Sequence, residues 1–436
     1  MFMASYSSLA LRWSLTRHFS PLTWVLTSLF TGVMGYWVLT LTMPWFVFST
    51  TGSTSHAGLV VFAEVAPAVV ARFLAGPVVD RVGLRRTTWI GAAVQTSCIA
   101  AIAVLVSMDA LSFPVLLALL ASSGAASGAA LVAMNGLAPA AARYVGVAEG
   151  RGISLGTAMA TAGQVFGPSL GALLAPVPVI GLSVVAALFA ANALIVGLAL
   201  PHGMEPDHAQ ADPGEGKFGY WRSLREGVSY FRRDGLLVRL HVMLGSMEFL
   251  VAPMSGVFLP LWARETHAGP GAIGALVSAA AFAGFAGSLV AVPVIERVRP
   301  SVIMAVGYLL IVPQPLVLAL GAPTWLVMVC WIAAGFAGAF PYSVVGRILY
   351  QWPPEKFRSR VRSVGGAASK TGGALGGLVA GLIVDRFGLT VPLLVAAVLY
   401  LLVTQSTVLR KEVRSLTPKI REDRPKAGLL VKEPTG

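Results

Sequence analysis

Long apolar runs, separated by polar breaks or by breaks rich in glycine and proline, recur along the whole chain. Each run is long enough for an α-helix to cross the hydrocarbon core of a bilayer, which takes about 20 residues. The runs lie at 21–48, 56–79, 87–107, 112–142, 153–176, 179–201, 241–262, 270–295, 301–320, 324–350, 361–384 and 389–409. They predict an all-α polytopic membrane protein with twelve transmembrane helices.

A polar interval after the sixth run divides the chain into two pseudo-symmetric six-helix bundles. The predicted domains are a bundle over 1–201, a cytoplasmic linker over 202–240, a second bundle over 241–409 and a disordered cytoplasmic tail over 410–436. In the linker, apolar residues three and four apart alternate with arginines, which predicts an amphipathic helix over 217–234. Such a helix is expected to lie in the cytoplasmic interface of the membrane.

The composition agrees with this interpretation and excludes most soluble classes. Of 436 residues, 56% are hydrophobic and 12% are charged, and the mean hydropathy is +0.77. A soluble protein has about twice that share of charged residues. Disorder and a disulfide scaffold are therefore poor explanations. No cleaved signal peptide is expected, because the first run is too long for one and continues into the series.

The net charge of +13 raises the question of a nucleic-acid partner. If the N-terminus is cytoplasmic, 28 of the 32 lysines and arginines fall in segments on the inner side. The other four are Arg264 and Arg386 on the outer side and Arg72 and Lys370 within runs. Such an excess marks the cytoplasmic side of a membrane protein. Both termini are thus expected in the cytoplasm, with anionic lipid rather than nucleic acid as the partner of the basic segments.

Glycines, prolines and charged residues recur between the two sets of runs at nearly constant offsets. At an offset of 216, Pro44, Gly58, Pro77, Asp80 and Arg81 correspond to Pro260, Gly274, Pro293, Glu296 and Arg297. At an offset of 209, Arg151, Ser154, Gly156, Gly163 and Gly167 correspond to Arg360, Ser363, Gly365, Gly372 and Gly376. Repeated six-helix halves are one architecture of secondary transporters, in which the substrate site lies between the halves.

Three short motifs resemble those of one family, the major facilitator superfamily. The break after the second run, which resembles its signature loop, reads Gly76-Pro-Val-Val-Asp80-Arg81-Val-Gly83-Leu-Arg85-Arg86. The fifth run, which is similar to the motif of its antiporter branches, reads Gly163-Gln-Val-Phe-Gly167-Pro168-Ser-Leu-Gly171. Before that run, the chain reads Glu149-Gly-Arg151-Gly152, which is similar to a further, weaker family pattern. Within the superfamily, the chain resembles drug and siderophore exporters of the macrolide-efflux and enterobactin-exporter type.

The resemblance implies secondary active transport by alternating access in a bacterial inner membrane. The expected function is proton-coupled antiport that exports lipophilic drugs or a secondary metabolite such as a siderophore. A lysophospholipid flippase, an uptake symporter and a transport-inactive receptor are the alternatives. An enzyme is not expected, because the chain has no phosphate-binding loop, serine elbow or His/Glu metal motif. No cofactor or metal is expected, and the transporter is expected to be a monomer.

The resemblance also implies a gating role for the signature loop. Asp80, at the inner end of the second helix, is expected to meet the positive N-terminal end of the eleventh helix, near Arg358, Arg360 and Arg362. Such a contact would close the cytoplasmic side. A positively charged inner loop without any gating role is the alternative. The residues assigned to the gating motif are Gly76, Asp80, Arg81, Gly83, Arg85, Arg86, Arg151 and Arg360.

The antiporter-like motif allows two interpretations. Its glycines, Gly163, Gly167 and Gly171, permit close packing of helices, and Pro168 removes an intrahelical hydrogen bond and permits a bend. These properties suit static packing and a moving hinge equally well.

Four charged residues are expected within the hydrocarbon region: Glu64, Arg72, Glu248 and Lys370. Arg347 and Arg362 lie at the inner ends of the tenth and eleventh runs and are counted with the inner loop. A charge in the hydrocarbon region costs a few kcal/mol, so each is expected to face a partner or a wet cavity.

Arg72, Glu248 and Lys370 lie at similar depths. The resemblance implies that the second and eleventh helices face one another and that the seventh lines the cavity, so these three are expected to form one cluster. The hypothesis is that Glu248 carries the coupling proton or binds a cation, with Arg72 and Lys370 setting the pKa of its carboxyl. Glu64 is a second candidate, nearer the outside. A static ion-pair network is the alternative.

Two further expectations concern the cavity. Many proton-coupled drug exporters of the family have an Arg and a Gln in the fourth helix, but Ala121-Ser-Ser-Gly124-Ala-Ala-Ser-Gly128 has neither. Proton coupling is therefore expected to use other residues. Five side chains inside runs are candidates for the lining of a substrate cavity, where aromatic rings would suit an apolar or cationic cargo. Ordinary helix packing is the alternative for the aromatic side chains, and a hydrogen bond to a neighbouring helix is the alternative for the amides. The five candidates are Tyr36, Trp37, Asn135, Gln164 and Phe249.

Overall fold

The structure is a computed structural model that describes residues 20–201, 204, 225 and 228–417. The side chains at 76, 77, 80, 355–360 and 362–364 lie outside the description. Residues 228–233 are helical, but most of the predicted amphipathic helix over 217–234 lies outside the described residues. The same holds for most of the predicted tail over 410–436. The predicted domain limits stay a prediction.

Each of the twelve predicted runs corresponds to a helix. We number these helices α1 (Pro21–Thr51), α2 (Thr54–Val82), α3 (Leu84–Ser107), α4 (Phe113–Tyr144), α5 (Glu149–Leu174), α6 (Pro178–Ala199), α7 (Gly235–Glu265), α8 (Gly269–Ile295), α9 (Pro300–Ala319), α10 (Thr324–Gln351), α11 (Glu355–Phe387) and α12 (Thr390–Val408). A short helix, α13 (Lys411–Arg414), follows.

Eleven of these helices are long and apolar enough to cross a membrane, all but α5. Helix α5 has 26 residues, but six of them are glycines and others are Ser, Thr and Gln, so its hydropathy is low. The all-α polytopic membrane fold is confirmed, and the number of spans is eleven or twelve according to whether α5 is counted.

Proline and capping residues explain where the helices bend and begin. Helix α7 starts at Gly235, before the predicted limit of 241, because the Asp234 side chain accepts hydrogen bonds from the backbone N–H groups of Leu236 and Leu237. Within α7, a π-helical turn over Met254–Phe258 directly follows Pro253. Proline cannot donate the normal backbone hydrogen bond, so the ladder is rearranged there.

The described residues form two compact units. The first comprises Met1–Phe46 and Ala63–Glu215. Its core contains fully buried Val25, Leu137, Ala141 and Val196 from α1, α4 and α6. The second comprises Val47–Phe62 and Gly216–Gly436. The outer end of α1 and the first residues of α2 therefore pack with the C-terminal helices.

The core of the second unit joins α7, α9, α10 and α12. Fully buried side chains include Leu240, Met304 and Ile348. Helix α13 docks beside this core through buried Val413, and the neighbouring Glu412 forms an ion pair with Arg239 of α7. The hydrogen bond from the Arg239 guanidinium lowers the pKa of the Glu412 carboxyl.

Glycines bring helices into backbone contact in both units. A Cβ atom added to Gly372 or Gly376 of α11 would lie 2.0 or 2.1 Å from a carbonyl oxygen of α7. At the equivalent Gly163 and Gly167 of α5, it would lie 2.9 or 3.1 Å from a carbonyl oxygen of α1. The repeat in the sequence therefore corresponds to a repeat in helix packing.

The outer surface of the helices is apolar. Leu173, Phe282 and Leu289 are 75%, 62% and 63% exposed, and dozens of other large apolar side chains are exposed as well. A soluble protein rarely leaves such a surface uncovered. This surface is suited to contact with lipid chains.

The close contact between α7 and α11 yields the first prediction. In Gly372→Ala, the new methyl group meets the Gly245 carbonyl, so the helices must separate at a cost of about 1–3 kcal/mol. We expect the midpoint of thermal unfolding in detergent to fall by several degrees. Gly366→Ala, on the same helix with nothing within 4 Å of the new Cβ, is the control and should not lower the midpoint. Equal midpoints for the two variants would contradict the packing role.

Candidate functional site

Two of the four intramembrane charges form an ion pair. Lys370 Nζ of α11 donates a hydrogen bond to Glu248 Oε1 of α7 over 2.6 Å. The Lys370 side chain is 46% exposed and that of Glu248 34%. Gly373 keeps space beside the carboxylate, since a Cβ there would lie 3.4 Å from Glu248 Oε2. Neutralising partners reduce the cost of placing both charges in the membrane.

Glu64 of α2 is in a different situation. Glu64 is only 8% exposed, and no hydrogen bond or ion pair joins its carboxyl to any described residue. It lies where α2 contacts α4 most closely, because a Cβ added to Gly124 would be 2.0 Å from the Glu64 carbonyl oxygen. The stretch around Gly124 that lacks the family's Arg and Gln is thus a packing surface for the helix that bears Glu64.

Glu64 also breaks the internal symmetry. A Cβ added to Gly335 of α10 would lie 2.2 Å from the Ala280 carbonyl oxygen, so Gly335 packs on Ala280 as Gly124 of α4 packs on Glu64. Ala280 lies 216 residues after Glu64, the offset of the sequence repeat. The carboxyl is therefore not needed for this packing.

Arg72 lies two turns after Glu64 on the same helix and is half-buried. Its Nε atom is buried and has no hydrogen-bond acceptor among the described residues. Of the predicted three-residue cluster, the structure brings Glu248 and Lys370 together. Arg72 belongs to the first unit, and its place in the cluster stays a prediction.

The signature loop is described in part. Gly83 has a φ of 89°, a left-handed conformation that favours glycine, and it begins α3. The Arg85 guanidinium donates hydrogen bonds to the carbonyl oxygens of Val196 and Gly197, at the π-helical end of α6. Exposed arginines of the motif are Arg81, Arg86 and Arg151. The side chains of Asp80 and Arg360, and Gly76 with its surroundings, lie outside the description, so the gating contact stays a prediction.

The antiporter-like glycines face α1. A Cβ at Gly167 would lie 2.6 Å from the Trp37 Cβ, and one at Gly171 would lie 3.2 Å from the Val38 carbonyl oxygen. Pro168 is buried within α5. The three glycines lie about one helical turn apart, so α5 packs closely on α1 at each of these turns, as the packing interpretation of this motif expects.

The five cavity candidates fall into different surroundings. Tyr36 and Trp37 of α1 form an edge-to-face pair with ring centroids 6.0 Å apart. Asn135 and Gln164 are exposed. Phe249 lines a cavity of about 480 Å³ within the second unit, between α7, α11 and α12.

This cavity is mainly apolar. Besides Phe249, its lining includes Phe231, Val242, Leu250 and Leu399. Its polar lining groups are His241, Ser246 and Thr371. His241 is buried, and its Nδ1 is 2.8 Å from the Leu237 carbonyl oxygen. An apolar cavity with a few polar groups is typical of a site for a lipophilic small molecule.

Sequence reasoning missed a polar contact at the end of α11 that the charges predict to be outside. Asp385 Oδ1 accepts hydrogen bonds from the backbone N–H and the hydroxyl of Thr54, and Oδ2 accepts them from the same groups of Ser55. One carboxylate thus caps the N-terminus of α2. Nearby, the Arg264 guanidinium lies 5.3 Å from the centroid of the Phe48 ring.

A second missed contact lies inside the first unit. Ser28 Oγ donates a hydrogen bond of 2.6 Å to Asn192 Oδ1, and both residues are buried. No sequence pattern indicated these pairs, because the partners are 164 and about 330 residues apart in the chain. Among the described residues, no group of three or more His, Cys, Asp or Glu side chains is arranged to hold a metal ion.

Comparison with known proteins agrees with the fold. The family model described as Major Facilitator Superfamily matches residues 25–256 and 242–433. The Multidrug efflux pump Tap of Mycolicibacterium fortuitum is 25% identical over 405 residues, which cover 91% of this chain and 97% of that protein. The relatives named multidrug efflux pumps confirm the expected resemblance to exporters.

Solved structures are similar at lower identity. The nucleoside transporter NupG has a TM-score of 0.74 at 14% identity and covers 92% of this chain and 100% of its own. A D-xylose-proton symporter has a TM-score of 0.68 at 12% identity and covers 88% of this chain and 96% of its own. At these identities the likeness shows the shared fold alone.

The ion pair between α7 and α11 yields the second prediction. Glu248→Gln and Lys370→Met each leave one charge without its partner, and each should lower the midpoint of thermal unfolding in detergent. The double variant should be more stable than the sum of the single effects implies, with a coupling of about 0.5–1 kcal/mol because both groups are partly exposed. Strictly additive effects in this double-mutant cycle would show that the pair contributes nothing.

Proposed function

The chain belongs to the major facilitator superfamily, and on that premise we propose that it is a proton-coupled antiporter that exports lipophilic small molecules. It is a multi-pass membrane transporter. In this proposal it works as a monomer in the bacterial inner membrane, with both termini in the cytoplasm. The excess of lysine and arginine on one side supports this orientation.

The proposed cargo is apolar and aromatic or cationic. The cavity beside Phe249 supports this choice, because apolar groups dominate its lining and only three polar side chains contribute to it. Export is supported by the relatives named multidrug efflux pumps. A secondary metabolite or siderophore of similar character would fit the same chemistry.

Proton coupling is assigned to Glu64, on the observation that this carboxyl is buried and has no partner among the described residues. Without a nearby cation, a charged carboxylate at this position costs several kcal/mol. Binding of a proton removes this cost, so the neutral carboxyl is favoured. Glu248 differs, because Lys370 already neutralises it. The sequence favours Glu248 as the coupling residue, whereas the contacts favour Glu64, with Glu248 as the second candidate.

In the proposed mechanism, one proton is exchanged for the cargo, and Glu64 is the residue that binds and releases this proton. With the site open to the outside, Glu64 binds a proton and the cargo is released. With the site open to the cytoplasm, the proton leaves and the cargo binds. Alternation of access, rather than direct contact between proton and cargo, then couples the two fluxes.

The third prediction tests coupling in proteoliposomes with an imposed pH gradient and ethidium, a lipophilic cationic dye, as the probe. The wild type should move dye against the direction of proton flow. Glu64→Gln, which cannot exchange a proton, should lose gradient-driven transport by tenfold or more but keep dye binding. Glu248→Gln is the matched control and should keep a large part of gradient-driven transport.

Two outcomes would contradict this proposal. Gradient-driven transport at the wild-type rate in Glu64→Gln would exclude Glu64 as the coupling residue. Dye accumulation in the direction of proton flow would identify a symporter. A resistance screen of an expressing host against antibiotics, dyes and siderophores would then identify the natural cargo.

A further inference from the structure

The N-terminus of α2 and the end of α11 are joined by four hydrogen bonds to one carboxylate. The two oxygens of Asp385 accept from the backbone N–H groups of Thr54 and Ser55, at 3.1 and 3.0 Å, and from both hydroxyls. The Thr54 hydroxyl also lies 3.1 Å from the Gly381 carbonyl oxygen. A negative charge at this end of a helix is stabilised by the free N–H groups and by the helix dipole.

Glycines continue the contact along both helices. A Cβ added to Gly58 of α2 would lie 2.5 Å from the Gly377 carbonyl oxygen, and one added to Gly381 would lie 2.6 Å from the Thr54 carbonyl oxygen. Val61 closes the contact, since a Cβ on Gly377 would be 3.0 Å from Val61 Cγ1. Here α2 and α11 touch backbone to backbone for about two turns.

The two parts of this contact differ in how easily they separate. The glycine contacts gain only dispersion energy, and in a membrane no hydrophobic force holds such helices together, because lipid chains can replace either partner. Asp385 itself is exposed, so water can reach the carboxylate. A directional, solvent-accessible contact at the end of an otherwise smooth helix pair is suited to opening and closing.

We propose that Asp385, with Thr54 and Ser55, is the latch of the outer gate. The latch holds the first two turns of α2 against α11 while the site faces the cytoplasm, and its release lets the outer end of α2 move away. Helix α2 continues from the latch through Glu64, so the state of the latch and the access to Glu64 change together. This inference rests on the proposed transport function, and it assigns a gating residue that is not a coupling residue.

The fourth prediction uses a cysteine reporter at the glycine contact. In the full chain with Cys98→Ala and Cys330→Ala, Val61→Cys places a thiol on the α11-facing side of α2. The protein is placed in lipid nanodiscs, so both faces are accessible, and a maleimide probe measures the rate of labelling. Asp385→Asn removes the charge and turns an amide N–H toward the donors of α2. We expect labelling to become roughly two- to fivefold faster, the scale of a charge at an exposed helix N-terminus.

Two further variants make the result decisive. Arg386→Gln changes the neighbouring exposed charge outside the latch and should label at the wild-type rate. The double variant Thr54→Ala/Ser55→Ala keeps the charge but removes both hydroxyl donors, and it should label at an intermediate rate. If Asp385→Asn does not fold, the labelling rate of this double variant tests the latch instead. A wild-type labelling rate in a folded Asp385→Asn protein, or in the double variant when the first does not fold, overturns the latch.

Ethidium transport in proteoliposomes separates the latch from the proposed function. If the latch acts in transport, Asp385→Asn should lower gradient-driven transport severalfold and keep dye binding. Faster labelling in Asp385→Asn together with a wild type that moves no dye would support the latch and overturn the transport proposal. Dye transport by the wild type together with a wild-type labelling rate in Asp385→Asn would support the transport proposal and overturn the latch.

Discussion

Close approach of helix backbones through glycine is the constraint on which the rest of this structure depends. In a bilayer, apolar side chains do not drive helices together, because lipid chains are equally apolar, so van der Waals contact and polar bonds must do so. The carbonyl oxygens at Glu64, Ala68 and Phe249 each lie where a neighbouring helix has a glycine. These contacts set the positions of α2 on α4 and of α7 on α11, the helices that bear Glu64, Glu248 and Lys370.

The same constraint explains why the intramembrane charges differ from one another. Glu248 and Lys370 lie on helices that touch, at positions where a long side chain can reach across, so they neutralise each other. Glu64 lies at a point of backbone contact, where α4 offers only small side chains. Among the described residues, no cation pairs with the carboxyl there. Packing thus separates a paired carboxylate from an unpaired one, although both are glutamates at membrane depth.

Much of the fold follows from the sequence. A run of about 20 apolar residues must form a helix in lipid, since every backbone N–H and C=O group needs a partner within the segment. The boundaries were less predictable, because caps such as Asp234 extend a helix beyond its apolar part. The glycine motif of α5 indicated close packing, and the structure shows that the equivalent glycines of α11 pack on α7 in the same way. Depth and the family's helix arrangement grouped Glu248 with both Arg72 and Lys370, and the structure shows the pair with Lys370.

Other contacts could not be read from the chain. Asp385 is one acidic residue at the end of a run, and nothing in its neighbourhood indicates the two hydroxyl residues that it binds some 330 positions earlier. The sequence by itself determined the membrane fold, the family and which few residues bear charge in the hydrocarbon region. The fold and the charges follow from local composition and periodicity, and the family follows from short motifs that resemble those of the superfamily. Only the tertiary structure decided which charges have partners and which helix ends are joined. Such pairings depend on where distant helices meet, and that is set by packing rather than by any local pattern.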